Sequence, residues 1–278
     1  MSVPAVSVRG PWHRFPDGTV LDLRRLSFEV AAGERVAFLG GNGSGKSTVI
    51  HALVGLFSVG SGEVRVFGED PETAWPKIRH RVGVVMQHVD DQLLGLTALD
   101  DIELGLRAHV KDRGERRERA RAALRRLGAE GFADRVPHSL SGGEKRRVAV
   151  AGALAHGPDL VVLDEVFGAL DLGARDEVMG VLLEEHRARG AALLVVTHDV
   201  GWAPEFADRV VVLLRGKEPW AGPPLGLVSR EGIAALEEAG LEPPPLFVLA
   251  AEVAAQTGRA PPSARTGDLL GFCRGPGR

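Results

Sequence analysis

The residues best equipped for chemistry form one short run, Gly40-Gly41-Asn42-Gly43-Ser44-Gly45-Lys46-Ser47. A glycine, four residues, then Gly-Lys-Ser, placed between an apolar run (Arg35–Leu39) and a helical pattern, is the arrangement that cradles phosphate. The glycines let successive backbone N–H groups turn inward as a nest for phosphate oxygens, and the positive end of the following helix adds to it. Lys46 has the reach for the β- and γ-phosphates, the Ser47 hydroxyl can ligate Mg²⁺, and Thr48 is placed for the α-phosphate. A second candidate is Leu160-Val161-Val162-Leu163-Asp164-Glu165, an apolar strand ending in two acids. Two carboxylates there are costly to bury unless a cation or a water uses them. Asp164 therefore reads as a Mg²⁺ partner and Glu165 as the group facing an attacking water. Together the two motifs imply nucleotide binding, without choosing among the enzymes that use such a loop.

The elements that must position these residues follow from the hydrophobic pattern. Short β-rich runs alternate with helical ones, the signature of a wound α/β sheet. Strands are expected at Val3–Val8, Leu26–Val30, Arg35–Leu39, Glu63–Phe67, Val82–Met86, Leu160–Leu163, Ala192–Thr197 and Arg209–Leu214. Helices are expected from Thr97 to about Gly128, and over Gly142–His156 and Ala174–Arg189. Beyond Gly216 prolines punctuate two short helices, around Ile233–Ala239 and Phe247–Ala255, and residues 259–278 read as a mobile tail. The stretch from Lys111 to Arg126 is rich in arginine, but glutamates are interleaved and aromatics absent, so it reads as a solvated helix face.

Composition narrows the class. A chain of 278 residues, 44% hydrophobic and 26% charged, has the make-up of an ordinary globular protein able to bury a core without disulfides. A net charge of -3 gives no reason to expect binding to a polyanion through overall charge. The single cysteine, Cys273, has no partner in the chain, as in a reducing cytosol. The N-terminus lacks the pattern of a signal peptide, and no run is long and apolar enough to span a bilayer. A membrane role would require docking on other proteins' helices.

A third motif bears on the family. Leu140-Ser141-Gly142-Gly143-Glu144-Lys145 resembles the LSGGQ signature of ABC transporter ATPases, with Glu in place of Gln, and the helix after it continues as theirs does. The resemblance covers residues 1–215 and implies a P-loop ABC ATPase: a RecA-like core sheet, an N-terminal antiparallel β region, a helical signature subdomain over about residues 90–156, and a C-terminal extension over 216–258, a possible dimerisation element. Position by position it implies that Gln87 touches Mg²⁺ and the lytic water, Asp171 is the D-loop aspartate, and His198 contacts the γ-phosphate. It implies Glu165, His198, Gln87 and Lys46 as catalytic, with ATP and Mg²⁺ bound by residues 40–48, Asp164, Ser47 and Gln87. Ser141, Gly142 and Gly143 would face the nucleotide of a second ATPase protomer. Phe15 sits where a tyrosine usually stacks on adenine; the chain has no tyrosine, and Trp12 is the alternative.

Further details resemble the energy-coupling factor ATPases, the cobalt/nickel-type subunits of metal-ion and vitamin importers. These are His88-Val89-Asp90-Asp91-Gln92-Leu93, the helix start Thr97–Ile102, and Ala239-Gly240-Leu241-Glu242-Pro243-Pro244-Pro245-Leu246. The resemblance implies a cytoplasmic protein on the inner face of the membrane, docked on integral membrane components, with Asp90 and Asp91 accepting arginine from a partner helix and no nucleic-acid role. A conventional two-permease transporter and a DNA-associated ABC ATPase are the alternatives. The sequence departs from the family where His88 and Val89 replace the usual Asn-Pro. Gly41 stands where proline is common, which should loosen the loop. Glu165-Val166-Phe167 replaces Glu-Pro-Thr, which could alter packing beside the base and slow turnover.

Overall fold

The computed structural model describes residues 3–274. Four strands form an antiparallel sheet: β1 (Val6–Arg14), β2 (Val20–Asp22), β3 (Ser27–Val30) and β5 (Ser61–Val66). The long strand β1 pairs with β2 and β3 along one edge and with β5 along the other. The second sheet has six strands: β4 (Arg35–Leu39), β6 (Val82–Val85), β7 (Leu160–Asp164), β8 (Ala192–Thr197), β9 (Arg209–Val212) and β10 (Trp220–Gly222). Its order is β10-β9-β4-β8-β7-β6, parallel except for the β9–β10 pair. Every residue of β7 and β8 is buried. That follows from covering both faces of a parallel sheet and explains why these strands read as unbroken apolar runs rather than alternations. The α/β class expected from the sequence stands.

The helices are α1 (Lys46–Leu53), α2 (Pro71–Ile78), α3 (Ala98–Leu106), α4 (Arg113–Arg126), α5 (Gly142–Leu154), α6 (Leu172–Arg189), α7 (Ala203–Phe206), α8 (Arg230–Glu238), α9 (Pro245–Thr257) and α10 (Thr266–Arg274). Helices α3, α4 and α5 fall between β6 and β7 and share one core through Leu99, Ile102, Leu124, Val148 and Ala151. Gly83 of β6 lets α5 press directly on the sheet: a Cβ there would lie 2.3 Å from the Ala153 carbonyl oxygen. The arginines of α4 engage carboxylates: Arg117 with Glu103, Arg119 with Glu115, Arg125 with Glu118 and Glu130, and Arg126 with Glu185. No helix of the described residues is long and apolar enough to cross a membrane.

The C-terminal region differs from the expectation of a mobile tail over 259–278. Residues 266–274 form α10, whose Leu269 and Phe272 are buried in the same core as Leu236 and Phe247 of the extension. Its first turn is tied to α7 by the Thr266 N–H, which donates to Glu205 Oε1 at 3.0 Å. Apolar side chains spaced three apart, Leu269 and Phe272, hold this segment in spite of its Gly-rich and Pro-rich flanks. The remainder of that expectation, residues 275–278, lies outside the described residues.

One half-buried histidine should give the fold a pH dependence. His156, just after α5, stacks on His109 with ring centroids 5.2 Å apart, and its Nε2 is buried without a partner. Burial, with a smaller contribution from His109, lowers its pKa to about 4. The unfolded chain takes up this proton near pH 6.5 and the folded chain only near 4, so acidification across that window favours unfolding. The expected loss is up to about 3 kcal/mol. Denaturant titrations from pH 7 to 4 check it: His156→Leu should flatten the slope, and an unchanged slope would remove His156 as its cause.

Candidate functional site

Strand register assembles the site. Across the sheet Leu39 of β4 lies opposite Thr197 of β8, Val196 of β8 opposite Asp164 of β7, and Leu163 of β7 opposite Val85 of β6. All four strands run the same way, so the residues that follow them, Gly40, His198, Glu165 and Gln87, emerge at one carboxyl edge. That edge is where open α/β sheets bind ligands.

The loop after β4 runs into α1 through Gly45, whose φ of 101° only glycine adopts readily. Residues 42–48, Gln87 and Glu165 line a cavity of about 240 Å³. Lys46 is buried, and its Nζ donates to the carbonyls of Gly40 (2.7 Å) and Gly41 (3.1 Å) while lying 4.0 Å from Glu165 Oε1. Burial lowers the Lys46 pKa, opposed by the charges of Glu165 and Asp164.

Asp164 is 1% exposed, and neither carboxylate oxygen has a hydrogen-bond partner. Burial pushes its pKa up and the Glu165 charge adds to that; the nearby Ser47 hydroxyl, Lys46 and His51 act in the opposite sense. The Ser44 hydroxyl is likewise buried and unpaired. Unpaired buried polar atoms are rare and call for a ligand or an ion. Among the described residues no three His, Cys, Asp or Glu side chains could hold a metal by themselves. A cation here would need the Ser47 hydroxyl and phosphate oxygens beside Asp164, a donor set that suits Mg²⁺ arriving with a nucleotide.

Glu165 has a φ of 51°, left-handed backbone that is uncommon outside glycine and concentrated at functional sites. Its N–H donates to Val196 O at 2.9 Å. Its carboxylate, 12% exposed, lies 2.9 Å from His198 Nδ1 and accepts from Thr197 Oγ1 at 3.3 Å. Thr197, which the sequence reading passed over, also accepts from the Asp199 N–H. Asp199 in turn pairs with Arg175 of α6. Val166 and Phe167 are buried, and the Phe167 ring sits 4.4 Å from that of Trp202, which stacks on Phe206. The apolar pair beside Glu165 is therefore an anchor onto α7. Asp171 caps α6, accepting from the Ala174 N–H at 2.8 Å.

Two expectations are altered. Gly41 is restrained, not loosened: its N–H donates to Ala239 O at 3.1 Å, and a Cβ there would come within 2.5 Å of that oxygen. Asp90, expected to accept from a partner arginine, is bound to Lys145 of α5 at 2.5 Å, and that bond lowers its pKa. Asp91 is exposed. Gln92, next in this loop, takes the Met86 N–H and donates to Val84 O, closing the free edge of β6.

Phe15 lines a cavity of about 870 Å³ that reaches Gly43, Gly45 and Thr48, whereas Trp12 packs over Gly60. Ser141, Gly142 and Gly143 line neither this cavity nor the smaller one. They form the exposed start of α5, closed by a capping box: Ser141 Oγ accepts from the Glu144 N–H, and Glu144 Oε2 accepts from the Ser141 N–H at 2.7 Å. Arg135 holds the other Glu144 oxygen. Ser-x-x-Glu before an apolar helix was the signal for this cap.

A strand-to-helix phosphate loop ending in Lys-Ser, with buried Asp164 and strained Glu165 at a neighbouring strand end, defines a P-loop nucleotide-binding α/β protein. The ABC transporter profile matches residues 23–168, and the chain belongs to the ABC transporter family as one of its ATPases. It is 39% identical over 246 residues to the energy-coupling factor transporter ATP-binding protein EcfA1 of Geobacillus kaustophilus, covering 88% of this chain and 87% of that protein. Among solved structures, CbiO1 of Clostridium perfringens, part of the transporter complex CbiONQ, aligns with a TM-score of 0.70 at 30% identity over 84% of this chain and 93% of that one. A dimeric ATP-binding cassette bound to ADP and phosphate aligns at 0.71 with 29% identity, over 79% of this chain and 98% of that one.

The capping box gives a direct test of why glutamate is tolerated in the signature. Glu144→Ala should lower the melting temperature by losing the reciprocal cap, whereas Glu144→Gln keeps it and should lower it little. Thermal denaturation of the three chains decides; equal loss in both variants would mean the charge pair with Arg135 carries the effect.

Proposed function

We propose that this chain is the ATP-hydrolysing subunit of an energy-coupling factor type importer for metal ions or vitamins. Two ATPase protomers would close head to tail over two ATP molecules on the cytoplasmic face of integral membrane components. The observation that carries the ATPase half is the convergence of Lys46, Asp164, Glu165 and His198 at one strand edge. Support for the subfamily comes from the likeness to EcfA1 over most of both chains and from the Asp90–Leu93 segment.

Mg²⁺, when bound, would supply positive charge against the charge that develops on the transferring phosphoryl group. Ser47, Asp164 and Gln87 are the residues that would hold it. Two of the three ammonium donors of Lys46 are on the Gly40 and Gly41 carbonyls and the third can reach a phosphate oxygen, while loop amides and the α1 N-terminus complete the cradle. Phe15 supplies an aromatic face for adenine.

Glu165 orients and deprotonates the attacking water. His198 links that step to nucleotide through its two ring nitrogens. While Nδ1–H donates to Glu165, a neutral ring has no proton on Nε2 to offer phosphate. A neutral His198 that turns to donate to the γ-phosphate must release Glu165, freeing a carboxylate oxygen for water. Asp171 and the exposed signature, Ser141 to Gly143, act on the partner protomer's nucleotide. The signature's exclusion from the loop cavity of its own chain supports this division of labour.

Glu165→Gln should lower the ATP turnover rate by about two to four decades. ATP should also trap this variant as a dimer, visible by size-exclusion chromatography, because the amide still fills the site but cannot take the proton. Turnover near that of the parent chain would overturn the assignment. Co-purification from native membranes of a multi-span scaffold with a separate small membrane protein is the expected result for the subfamily; two similar permeases would contradict it.

A further inference from the structure

The loop that reads as the phosphate cradle is hydrogen-bonded to the C-terminal extension. Helix α8 ends at Glu238, and Gly240, with φ of 71°, reverses the chain so that the Gly240 and Leu241 N–H groups satisfy Glu237 and Leu236 carbonyls. The Ala239 carbonyl is left over by that turn, as helix-end carbonyls are. It accepts the Gly41 N–H at 3.1 Å. The other face of the Gly41 residue is used as well: its own carbonyl accepts from Lys46 Nζ at 3.1 Å and from the Ser44 N–H at 3.3 Å. Lys46 Nζ also donates to the Gly40 carbonyl at 2.7 Å, and that carbonyl shares a peptide group with the Gly41 N–H, so a continuous relay runs from the end of α8 through the Gly40–Gly41 peptide to the ammonium of Lys46. Hydrogen bonds in series polarise and orient one another.

Residue 41 is fitted to this contact. A Cβ would stand 2.5 Å from Ala239 O, nearer than real Cβ atoms come, and proline would remove the donor altogether. The extension cannot easily yield, because Leu236 and Leu241, on either side of the turn, are buried in the main core. It is also fixed at a second point, where the Thr266 N–H meets Glu205 of α7, the helix whose neighbour Trp202 packs on Phe167 two residues from Glu165.

We propose that the Ala239–Gly240 turn is a positioning element for the nucleotide site: through Gly41 it sets the Lys46 end of the loop, so that nucleotide affinity and the order of the C-terminal extension are linked. Linkage of this kind is reciprocal, since whatever the extension does to nucleotide binding, nucleotide does to the extension. The inference rests on reading residues 40–48 as the nucleotide loop, and the test separates the two.

The experiment is hydrogen–deuterium exchange on the full chain with and without MgADP at saturation, in the parent chain and in Gly41→Pro, with MgADP affinity measured in parallel. In the parent chain MgADP should slow exchange both in peptides covering 40–48 and in peptides covering 236–242. In Gly41→Pro the loop should still be protected at saturation, the response at 236–242 should disappear, and affinity should weaken about 2- to 10-fold, the worth of one hydrogen bond. Protection of 40–48 with no change at 236–242 in the parent chain overturns the linkage and leaves the nucleotide reading standing. No protection at 40–48 overturns both. Should Gly41→Pro fail to fold, the parent-chain comparison decides by itself, and Gly41→Ala, which keeps the N–H but crowds Ala239, supplies the affinity arm.

Discussion

Everything at the site depends on the register of four parallel strands. Side chains alternate faces along a strand, so a slip of one residue between β7 and β8 would turn Asp164 or Thr197 to the wrong side of the sheet. The register is held by burial: β4, β7 and β8 carry Val, Leu, Ala and Phe into two cores, one shared with helices such as α5 and α6 and the other with α1 and the antiparallel sheet, and any slip would expose that surface. Strand length and order therefore do the positioning, while the candidate site groups sit just past the strand ends, where backbone geometry is free to depart from β. Gly45 and Glu165 show that freedom, each in left-handed backbone at the first residue outside its strand or helix.

The same edge concentrates electrostatic cost. Asp164 is buried with both oxygens unpaired, Lys46 is desolvated against two loop carbonyls, and Glu165 is held between His198, Thr197 and the Lys46 charge. Each group alone would be unfavourable in such surroundings. Together, Lys46, Glu165 and the Thr197–His198 pair partly offset one another at that edge. In the proposed mechanism His198 is the pivot, since its Nδ1 contact with Glu165 would compete with donation to phosphate. The aromatic stack of Phe167, Trp202 and Phe206 fixes the backbone after Glu165 from behind, in place of the Pro-Thr pair common in the family.

Much of this was legible in the sequence because it is local. The phosphate loop, the strand ending in two acids and the capped signature helix are each encoded within about ten residues, and the fully buried strands announce themselves as apolar runs. What escaped is short or non-local. Strands β2 and β10 have three residues each, too few to show a period. Helix α2 begins at Pro71 and carries Pro76, so its composition reads as a turn, although Asp70 caps it. Helix α10 hides among glycines and prolines, and only its packing shows that Leu269 and Phe272 belong to the core. The Gly41–Ala239 hydrogen bond joins backbone groups almost two hundred residues apart, and backbone contacts leave no mark on residue identity except the absence of a side chain at Gly41.

In the proposed dimer each nucleotide site is shared, its phosphate loop from one protomer and its signature from the other. A mixing experiment tests it most directly. Lys46→Ala disables the loop and Ser141→Arg disables the signature, so each variant alone should be inactive. Mixed in equal amounts, they should recover ATP hydrolysis, because a heterodimer contains one site with an intact loop facing an intact signature. If each chain were active alone, or if the mixture stayed as inactive as its components while still forming dimers, the shared site would be contradicted.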